Sequence, residues 1–400
     1  MTAEATGIKI AMTHTEPLSF AKVAGHKWDV VVVGAGPAGC IAAHALSRRG
    51  LEVLLVDRAA FPRWKVCGCC LNPFTLGILA SAGLSELTEQ CGAVPIGWMR
   101  LAARRSEANV AIPGWRVLSR ERLDAALVAA AIQAGARFLA PTHASLGPEL
   151  MDGRKVILRG ENHEEEITAR LVLAANGLGS RLLLGEPGCA LRSAPASRVG
   201  AGAVAKTAPE FYRNGVVYMA YGSGGYVGLV RLEDGRLDIA AALDVGPLKA
   251  AHNPARAAGQ ILEEIGWPAV PDLVELAWHG TPALTRQPAR PAGARVFAVG
   301  DAAGYVEPFT GEGIGWALAS GTAVVPVATR AVRCWHPSLA DEWVAIQGRA
   351  AHSRRLCRAM TWVSRHPLLA RVMIGAVAQL PWLAGPFVSQ VGRGSRYFPA

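Results

Sequence analysis

The stretch WDVVVVGAGPAGCIAAHALSRRGLEVLLVDR, residues 28–58, decides the fold of this chain. Four valines stand among its first six residues, which is typical of a strand buried on both faces. Three glycines, Gly34, Gly36 and Gly39, follow before a helical pattern, and a second apolar strand closes on Asp57. The order of strand, glycines, helix and strand predicts an α/β unit with a parallel sheet.

Each glycine of this turn has a separate physical task. Gly34 allows a tight turn, Gly36 lets the backbone approach a pyrophosphate, and Gly39 lets the helix pack closely on the strand. The start of the helix, at Pro37 and Ala38, offers free amides and the positive end of a helix dipole to phosphate groups. These residues therefore predict a dinucleotide site, which could hold FAD or NAD.

An acidic residue ends each of two predicted strands. Asp57, followed by Arg58, is expected to accept hydrogen bonds from a ribose hydroxyl. The segment ARVFAVGDAAGYVEPFTGEGIGWALASG, residues 294–321, carries the pair Gly300-Asp301 and resembles the Gly-Asp segment of flavoproteins. The resemblance implies that Asp301 binds the ribityl chain of FAD.

The sequence EPFTGEGIG opens the next predicted helix. The resemblance implies that Gly311, Gly313 and Ile314 bring its positive end to the flavin pyrimidine, where it would stabilise reduced flavin. Pro308 would form a rigid wall beside the ring. Glu312 is a candidate catalytic acid or a group that organises the loop, and Glu307 shares these two readings.

Two further segments fit the same pattern. ITARLVLAANGLGSRLL, residues 167–183, resembles a third flavoprotein signature, although Asn176-Gly177 stands where an Asp-Gly pair is usual. Asn176 lacks the carboxylate charge, so a role that needs a charge there is not expected. In VLSRERLDAALVAAAIQAGARFL, Arg120 precedes a helix and is either a ligand of the FAD pyrophosphate or a solvated helix start.

Together these segments resemble the geranylgeranyl-reductase-like FAD-dependent oxidoreductases, which are related to aromatic-ring hydroxylases and flavin-dependent halogenases. The resemblance covers about residues 28–330. It implies an α/β fold with a Rossmann-like FAD-binding domain built in three layers on a parallel sheet. An antiparallel β-sheet substrate domain and a helical C-terminal region complete the expected fold.

The segment FPRWKVCGCCLNP, residues 61–73, places three cysteines in four positions. It resembles the loop of geranylgeranyl reductases that runs along the flavin, which implies that Lys65, Cys67 and Gly68 contact the cofactor. Cys67 would then face the substrate and act in catalysis. The alternative is a small, buried apolar side chain.

Metal binding is not predicted for these thiols. The spacing lacks the two-residue gap of tetrahedral sites, and no cysteine or histidine pair follows downstream. A disulfide between Cys69 and Cys70 would need a strained geometry. We expect Arg63 and Lys65 to lower the pKa of a nearby thiol.

Residues 197–245 read as short strands between glycine, asparagine and Asp-Gly turns, which predicts the antiparallel sheet. Tyr218, Tyr221 and Tyr226 could project into a substrate pocket, with Tyr226 a catalytic candidate, or could pack within the sheet. Gly228 and valines replace the bulky residues usual in the reductases, so the cavity is expected to suit a different substrate. The tryptophan pattern and the lysine of halogenases are absent, which disfavours halogenation.

These readings give a provisional division of the chain. The expected units are a flexible leader at 1–27, a discontinuous FAD-binding domain at 28–190 and 285–330, a substrate domain at 191–284 and C-terminal helices at 331–400. The segment near 91–115 is expected to join the substrate sheet.

Composition limits the partners and the compartment. The net charge is +10, and residues 331–400 contain nine arginines, no lysine and two acids. Nucleic-acid binding is not expected, because these arginines accompany no recognisable recognition helix or stacking sheet. The apolar stretch 366–388 is too interrupted to span a membrane, so it either caps the cavity or contacts an anionic membrane peripherally. The eight scattered cysteines favour the cytoplasm.

The sequence therefore predicts an FAD-dependent oxidoreductase that acts on an apolar small molecule. We expect NAD(P)H to reduce the flavin. It would come from solution without a domain of its own, because the sequence carries a single glycine fingerprint. Reduction of a carbon–carbon double bond is the leading hypothesis. Hydroxylation of an aromatic or polyketide-like substrate and a non-catalytic flavin-binding role are the alternatives.

Overall fold

The structure is a computed structural model that describes residues 18, 20–307, 311–353 and 355–392. The strands in chain order are β1 (Trp28–Val33), β2 (Val53–Val56), β3 (Cys70–Leu71), β4 (Val94–Ala103), β5 (Ser106–Val117), β6 (Arg137–Leu139), β7 (His143–Glu149), β8 (Arg154–Arg159), β9 (Glu164–Ala174), β10 (Leu191–Ser193), β11 (Val199–Ala205), β12 (Val216–Gly222), β13 (Gly225–Arg231), β14 (Leu237–Leu243), β15 (His279–Ala283), β16 (Arg286–Pro288), β17 (Ala292–Gly293) and β18 (Val296–Ala298).

The helices follow the same numbering. They are α1 (Phe20–Ala24), α2 (Pro37–Ser47), α3 (Pro73–Ser81), α4 (Leu87–Gln90), α5 (Arg120–Gln133), α6 (Val245–Ala251), α7 (Pro254–Ile265), α8 (Gly313–Arg333), α9 (Ser338–Ser353), α10 (Arg355–Val363), α11 (Pro367–Gln379) and α12 (Gly385–Gly392). Two short 3₁₀ helices, Gly300–Ala303 and Pro381–Ala384, complete the set.

The first sheet is the predicted Rossmann-like unit. Its strands are ordered β17-β18-β9-β1-β2-β6, and all of them run parallel except the edge strand β17. Val30 and Val32 of β1 pack with α2, α5 and α8 on one face. Val31 and Val33 share a hydrophobic cluster on the other face with side chains of β7 and β8, two antiparallel strands joined to the sheet through the first half of β9. The parallel sheet thus lies between a layer of helices and a layer of strands.

The second sheet is the predicted substrate sheet, with strands ordered β15-β11-β14-β13-β12-β4-β5-β3. Its neighbours are antiparallel except for the parallel pair β4–β12. The antiparallel fold of this region is confirmed. Strands β4 and β5, which lie largely within residues 91–115, belong to this sheet and extend it beyond residues 191–284.

The C-terminal helices pack on both sheets. Trp343 of α9 is fully buried and donates a hydrogen bond from Nε1 to the Ala298 carbonyl oxygen at 2.8 Å. Ala370 and Ile374 of α11 are buried against β4 and β5. None of the helices described over residues 18–392 combines the length and the apolarity that crossing a membrane requires.

Part of the expected leader is structured. Residues 20–24 form α1, which packs on β9 with Val23 fully buried. Residues 1–17 and residue 19 lie outside the described part of the chain.

Helices α2 and α8 touch through their backbones. A Cβ at Gly321 of α8 would lie 2.2 Å from the Ala38 carbonyl oxygen in α2. A distance under 3.0 Å to a backbone atom cannot be relieved by turning a side chain. Glycine at 321 therefore fixes how closely the long helix approaches the glycine turn.

We expect Gly321→Ala to lower the free energy of unfolding by about 2 kcal/mol, because the added methyl group would force the two helices apart. Chemical denaturation of the purified protein measures this change. The matched control is Gly348→Ala in α9, where a Cβ would meet nothing within 4 Å. Alanine there should be neutral or stabilise the protein by up to ~1 kcal/mol. Equal effects of the two substitutions would contradict the close packing.

Candidate functional site

The glycine turn, residues 34–39, brings three backbone segments together. Gly34 has a φ of +112°, and a Cβ on it would lie 2.4 Å from the Ala175 carbonyl oxygen. A Cβ on Gly39 would lie 1.9 Å from the carbonyl oxygen of Gly34. Neither position has room for a side chain, and the turn is consequently held tightly between β1, α2 and the end of β9.

A cavity of about 220 Å³ begins at this turn, and Gly36, Pro37 and Ala38 line one end of it. Helix α2 starts at Pro37, and no side chain caps its N-terminus. An uncapped helix N-terminus beside open space suits a phosphate group, since free amides and the helix dipole both favour an anion. The residues present therefore fit the pyrophosphate of a dinucleotide.

A buried chain of alternating charges lies beside the turn. Asp57 accepts a hydrogen bond from the Ala35 amide at 2.8 Å, and Arg63 Nη2 lies 3.4 Å from Asp57 Oδ2. Arg63 Nη1 lies 3.2 Å from Asp124, which also accepts two hydrogen bonds from Arg120 at 2.9 and 2.7 Å. This series, Asp57–Arg63–Asp124–Arg120, is called the charge chain below.

The charge chain revises two readings of the sequence. Arg120 is buried and lines the cavity, so the reading as a solvated helix start is wrong. Asp57 is also buried and is bound to the turn through the Ala35 amide, outside the cavity lining. Its contact with a ribose therefore stays a prediction, as does that of its exposed neighbour Arg58.

Asp301 and Lys65 both line the cavity, and they come from segments distant in the sequence. Gly300 has a φ of +61°, and its amide donates a hydrogen bond to Ser320 Oγ at 2.9 Å. It begins a short 3₁₀ turn that places Asp301 in the lining of the cavity. Lys65 Nζ would lie 3.0 Å from a Cβ on Gly177. Burial, and then the Arg120 charge, lower the pKa of Lys65, while Asp301 opposes that change.

The remaining predicted cofactor residues separate into two groups. Gly68, Gly177, Gly311, Gly313 and Ile314 all line the cavity. Asn176 is exposed, and its Oδ1 accepts a hydrogen bond from Ser180 Oγ at 2.7 Å instead. Pro308, predicted as a wall of the site, lies outside the described residues.

The cysteine loop forms one wall of the cavity, and all three of its thiols are free. The Cys69 amide donates to Cys67 Sγ at 3.4 Å. Hydrogen bonds from Cys69 and Arg120, with the Arg120 charge, lower the pKa of Cys67 to about 6 against the opposing effect of burial. Arg63 and Lys65 were expected to lower the pKa of a thiol in this loop, and the cation that does so is Arg120.

The neighbouring thiols stay protonated. A hydrogen bond to Cys67 and burial raise the pKa of Cys69, and burial raises that of Cys70. Within the described ranges no group of three or more histidine, cysteine, aspartate or glutamate side chains is placed to hold a metal ion. The loop thus presents one thiolate beside a guanidinium.

The second sheet closes the cavity with a largely apolar wall. Side chains that line it from β4, β5, β12, β13 and β14 are Met99, Trp115, Val217, Met219, Tyr226, Val230, Asp238 and Ala240. Gly228 and Ala240 are cross-strand partners with little side-chain volume of their own, and the Met219 sulfur covers Gly228, 3.1 Å from where a Cβ would lie. The wall leaves room for an apolar molecule beside the glycine turn.

The three candidate tyrosines have different surroundings. Tyr226 lines the cavity, and Arg198 lies 5.5 Å from its ring centroid. Tyr221 pairs with Tyr226 in the adjacent strand and shares its hydrophobic cluster. Tyr218 points to the opposite face, where its hydroxyl donates to the Phe211 carbonyl oxygen at 2.6 Å. Of the two readings of Tyr218, packing within the sheet is the one that agrees with these contacts.

The two candidate glutamates do not line the cavity. Glu312 is buried, and its Oε2 accepts a hydrogen bond from Cys357 Sγ in α10 at 2.8 Å. Glu307 is fully buried and pairs with Arg198 at 3.1 Å. Both hold the C-terminal helices in place, so the assignment of Glu312 as a catalytic acid is corrected to a structural one.

Two residues near the site were not predicted from the sequence: Asp238, which lines the cavity, and Arg198, which lies behind the lining residue Tyr226. Arg198 donates to Asp244 Oδ1 at 3.2 Å and to Ser364 Oγ at 2.9 Å, besides Glu307. Asp238 is 1% exposed in the middle of the sheet. Its signal in the sequence was weak: a single acid within the apolar strand LDIAAAL, residues 237–243.

The lowered pKa of Cys67 predicts fast alkylation at mildly acidic pH. We expect the rate of iodoacetamide labelling at Cys67 to rise with pH through a midpoint near 6, because the thiolate is the reacting form. Arg120→Gln should move the midpoint upward by removing the cation. Peptide mass spectrometry after timed labelling locates the modified thiol.

The matched control for this labelling is Cys334→Ser, since Cys334 is exposed. That variant should keep the fast phase below pH 7, and Cys67→Ser should lose it. A midpoint at Cys67 of about 8.5, the ordinary value, would contradict the stabilised thiolate.

The comparisons with known proteins agree with this geometry. A family model described as an FAD binding domain matches residues 27–325. The chain is 30% identical over 321 residues to digeranylgeranylglycerophospholipid reductase 2 of Methanopyrus kandleri, which covers 76% of this chain and 78% of that protein. It is 27% identical over 369 residues to the menaquinone reductase of Mycobacterium tuberculosis, with 84% of each chain covered.

Solved structures share the fold at lower identity. The flavin-dependent brominase Bmp2 superposes with a TM-score of 0.76 at 16% identity, covering 93% of this chain and 94% of that one. The p-nitrophenol 4-monooxygenase of Pseudomonas putida gives 0.75 at 14% identity, covering 92% and 99%. The resemblance predicted from the sequence motifs is confirmed: the chain belongs to the FAD-binding domain family and is an FAD-dependent oxidoreductase.

Proposed function

We propose that this oxidoreductase uses NAD(P)H to reduce a carbon–carbon double bond in an apolar molecule. The observation that carries the proposal is one continuous cavity. It joins an uncapped helix start and two basic residues, Lys65 and Arg120, to a wall of apolar side chains. Cofactor and apolar substrate would share a space that excludes water, which favours hydride chemistry over hydrolysis or proton leakage.

The chain supplies binding and orientation at each end of this cavity. FAD, when bound, supplies the hydride chemistry. The start of α2 at Pro37 would meet its phosphates, and the Asp301 carboxylate would accept hydrogen bonds from its polyol. Lys65 and Arg120 add positive charge near the middle of the cavity. NAD(P)H would bind only transiently, because residues 34–39 are the single glycine fingerprint in the sequence.

The expected substrate is an isoprenoid or a similarly long apolar molecule. Gly228 and Ala240 contribute little side-chain volume to the sheet wall, and the side chains of Met99, Trp115 and Met219 give it an apolar surface. Two relatives are named as reductases of digeranylgeranylglycerophospholipid and of menaquinone, both isoprenoid lipids. Such molecules present carbon–carbon double bonds and few groups that need hydrogen bonds.

The test is a mass-resolved incubation with NADH or NADPH. Geranylgeraniol, menaquinone and simple phenols should be supplied separately, with and without oxygen. We expect a polyprenyl compound to gain two hydrogens in the absence of oxygen, while bound flavin bleaches on addition of the nicotinamide.

Two other outcomes would overturn the proposal. A product heavier by one oxygen, formed only in air, would make the protein a monooxygenase. A flavin that no nicotinamide bleaches, with or without these compounds, would leave a flavin-binding protein without turnover. A Gly36→Trp variant, which fills the cradle end of the cavity, serves as a control that should lose bound flavin.

We further propose that the C-terminal helices rest on an anionic membrane, with the enzyme in the cytoplasm. Large apolar side chains are exposed there, among them Trp362 at 57%, Leu368 at 67% and Trp382 at 68%. Arg365 and Arg371 lie within the same segment. Exposed tryptophans beside arginines suit the interface of an anionic bilayer. The free thiols support a reducing compartment.

The position of this surface also suits a lipid substrate. Ala370 and Ile374, on the buried side of α11, pack in the same hydrophobic cluster as Met99 and Trp115, which line the cavity. A bilayer under α11 would thus lie one helix away from the proposed substrate wall.

Vesicle flotation tests this contact. We expect the protein to bind vesicles that contain phosphatidylglycerol and to bind less at high salt, because screening weakens the arginine contribution. The double substitution Trp362→Ser and Trp382→Ser should weaken binding at least about tenfold by removing buried apolar area. The control is Trp98→Ser, a tryptophan 52% exposed on β4. Equal binding by all three proteins would refute the membrane face.

A further inference from the structure

Asp238 is a buried acid without an ordinary structural partner. It lies in β14, paired across the sheet with Val230 of β13 and Val204 of β11. The side chain is 1% exposed, and neither carboxylate oxygen receives a hydrogen bond of ordinary length among the described residues, although the Cys69 thiol approaches the carboxyl group. Asp124, another buried carboxylate beside the cavity, is paired with both Arg120 and Arg63. An unpaired buried carboxylate calls for another explanation.

The side chain of Asp238 faces the cavity beside the cysteine loop. Burial raises the pKa of Asp238 well above its usual value, and the negative charge of Cys67 raises it further. The Cys69 thiol and Arg236 act in the opposite direction, and Glu121 adds to the rise. The carboxyl group therefore keeps its proton to a higher pH than an ordinary aspartate does, and it faces a largely apolar space.

We propose that Asp238 is the catalytic acid that protonates the substrate carbon during double-bond reduction. The proposal rests on the proposed function. A hydride from the reduced cofactor forms one new C–H bond, and the Asp238 proton forms the other as the π bond breaks. The substrate is reduced, the cofactor is oxidised, and the carboxylate regains a proton from solvent between turnovers.

The surrounding charges favour this assignment over the other acids. Glu312 and Glu307 are held by Cys357 and Arg198, outside the cavity lining. Asp301 lies at the end that suits the cofactor, near Lys65. Asp238 alone among these four lies on the apolar sheet wall, where a substrate carbon would be placed.

The first test needs no substrate. Asp238→Asn keeps the shape of the side chain but cannot ionise. Because the folded pKa of Asp238 is raised, its stabilising effect is complete below the unfolded value of about 3.9 and is lost as pH rises through the folded value. The urea midpoint of Asp238→Asn relative to wild type should therefore rise with pH. A constant difference would overturn the proposal, since the acid would then be ionised already.

The second test separates proton donation from flavin reduction. Enzyme reduced anaerobically with NADPH is mixed with geranylgeraniol, and flavin reoxidation is followed by absorbance. Asp238→Asn should slow reoxidation at least about 100-fold and change the preceding reduction by NADPH less than about twofold. Asp238→Glu should recover part of the rate. The matched control, Asp234→Asn, alters an exposed acid on the same hairpin and should behave as wild type.

The outcomes distinguish the two proposals. If wild type is reoxidised anaerobically and Asp238→Asn is equally fast, the acid assignment fails and the reductase function stands. If neither geranylgeraniol nor menaquinone reoxidises wild type without oxygen, the proposed function fails and the assignment fails with it.

Discussion

The charge chain Asp57–Arg63–Asp124–Arg120 is the constraint on which the site depends. Each charge is buried or nearly so and is balanced by its neighbour. Removing one member of such a series typically costs about 3–5 kcal/mol, because its partner is left as an uncompensated buried charge. The chain links the end of β2, the cysteine loop and the start of α5, so it fixes three parts of the cavity at once.

The protonation states along the cavity follow from the last member of that chain. Arg120 stabilises the Cys67 thiolate, and the thiolate in turn disfavours a second negative charge on Asp238. A guanidinium, a thiol of lowered pKa and a carboxyl group of raised pKa therefore line the same cavity. The pKa shifts of Cys67 and Asp238 arise from burial, hydrogen bonds and nearby charges, and several of these come from residues distant in the sequence.

The sequence predicted those elements whose formation depends on residues close together in the chain. Residues 28–58 formed the expected strand, turn, helix and strand, because the hydrophobic periodicity and the glycines act within a few residues. Glu312 was misread because its partner, Cys357, comes from a helix 45 positions later. The same holds for Asp238, whose burial depends on Val204 and Val230 from other strands.

The sequence also could not show which face of the second sheet borders the cavity. Tyr218 and Tyr226 stand in strands with similar alternation, yet only the pairing of β12 with β13 and β4 determines which face becomes the cavity. For Arg120 the contacts in the structure chose between two readings. Its position at a helix start left two readings open, and the burial supplied by Asp124 and Cys67 decided between them.

Arg198 connects the C-terminal region to the buried interior of the protein. Its guanidinium is 1% exposed and donates to both the side chain and the carbonyl oxygen of Ser364, as well as to Asp244 and Glu307. A chain shortened before Ser364 would leave this cation with two fewer acceptors at the heart of the molecule. The C-terminal region is therefore part of the fold that surrounds the cavity, and truncation before Ser364 should destabilise the whole protein.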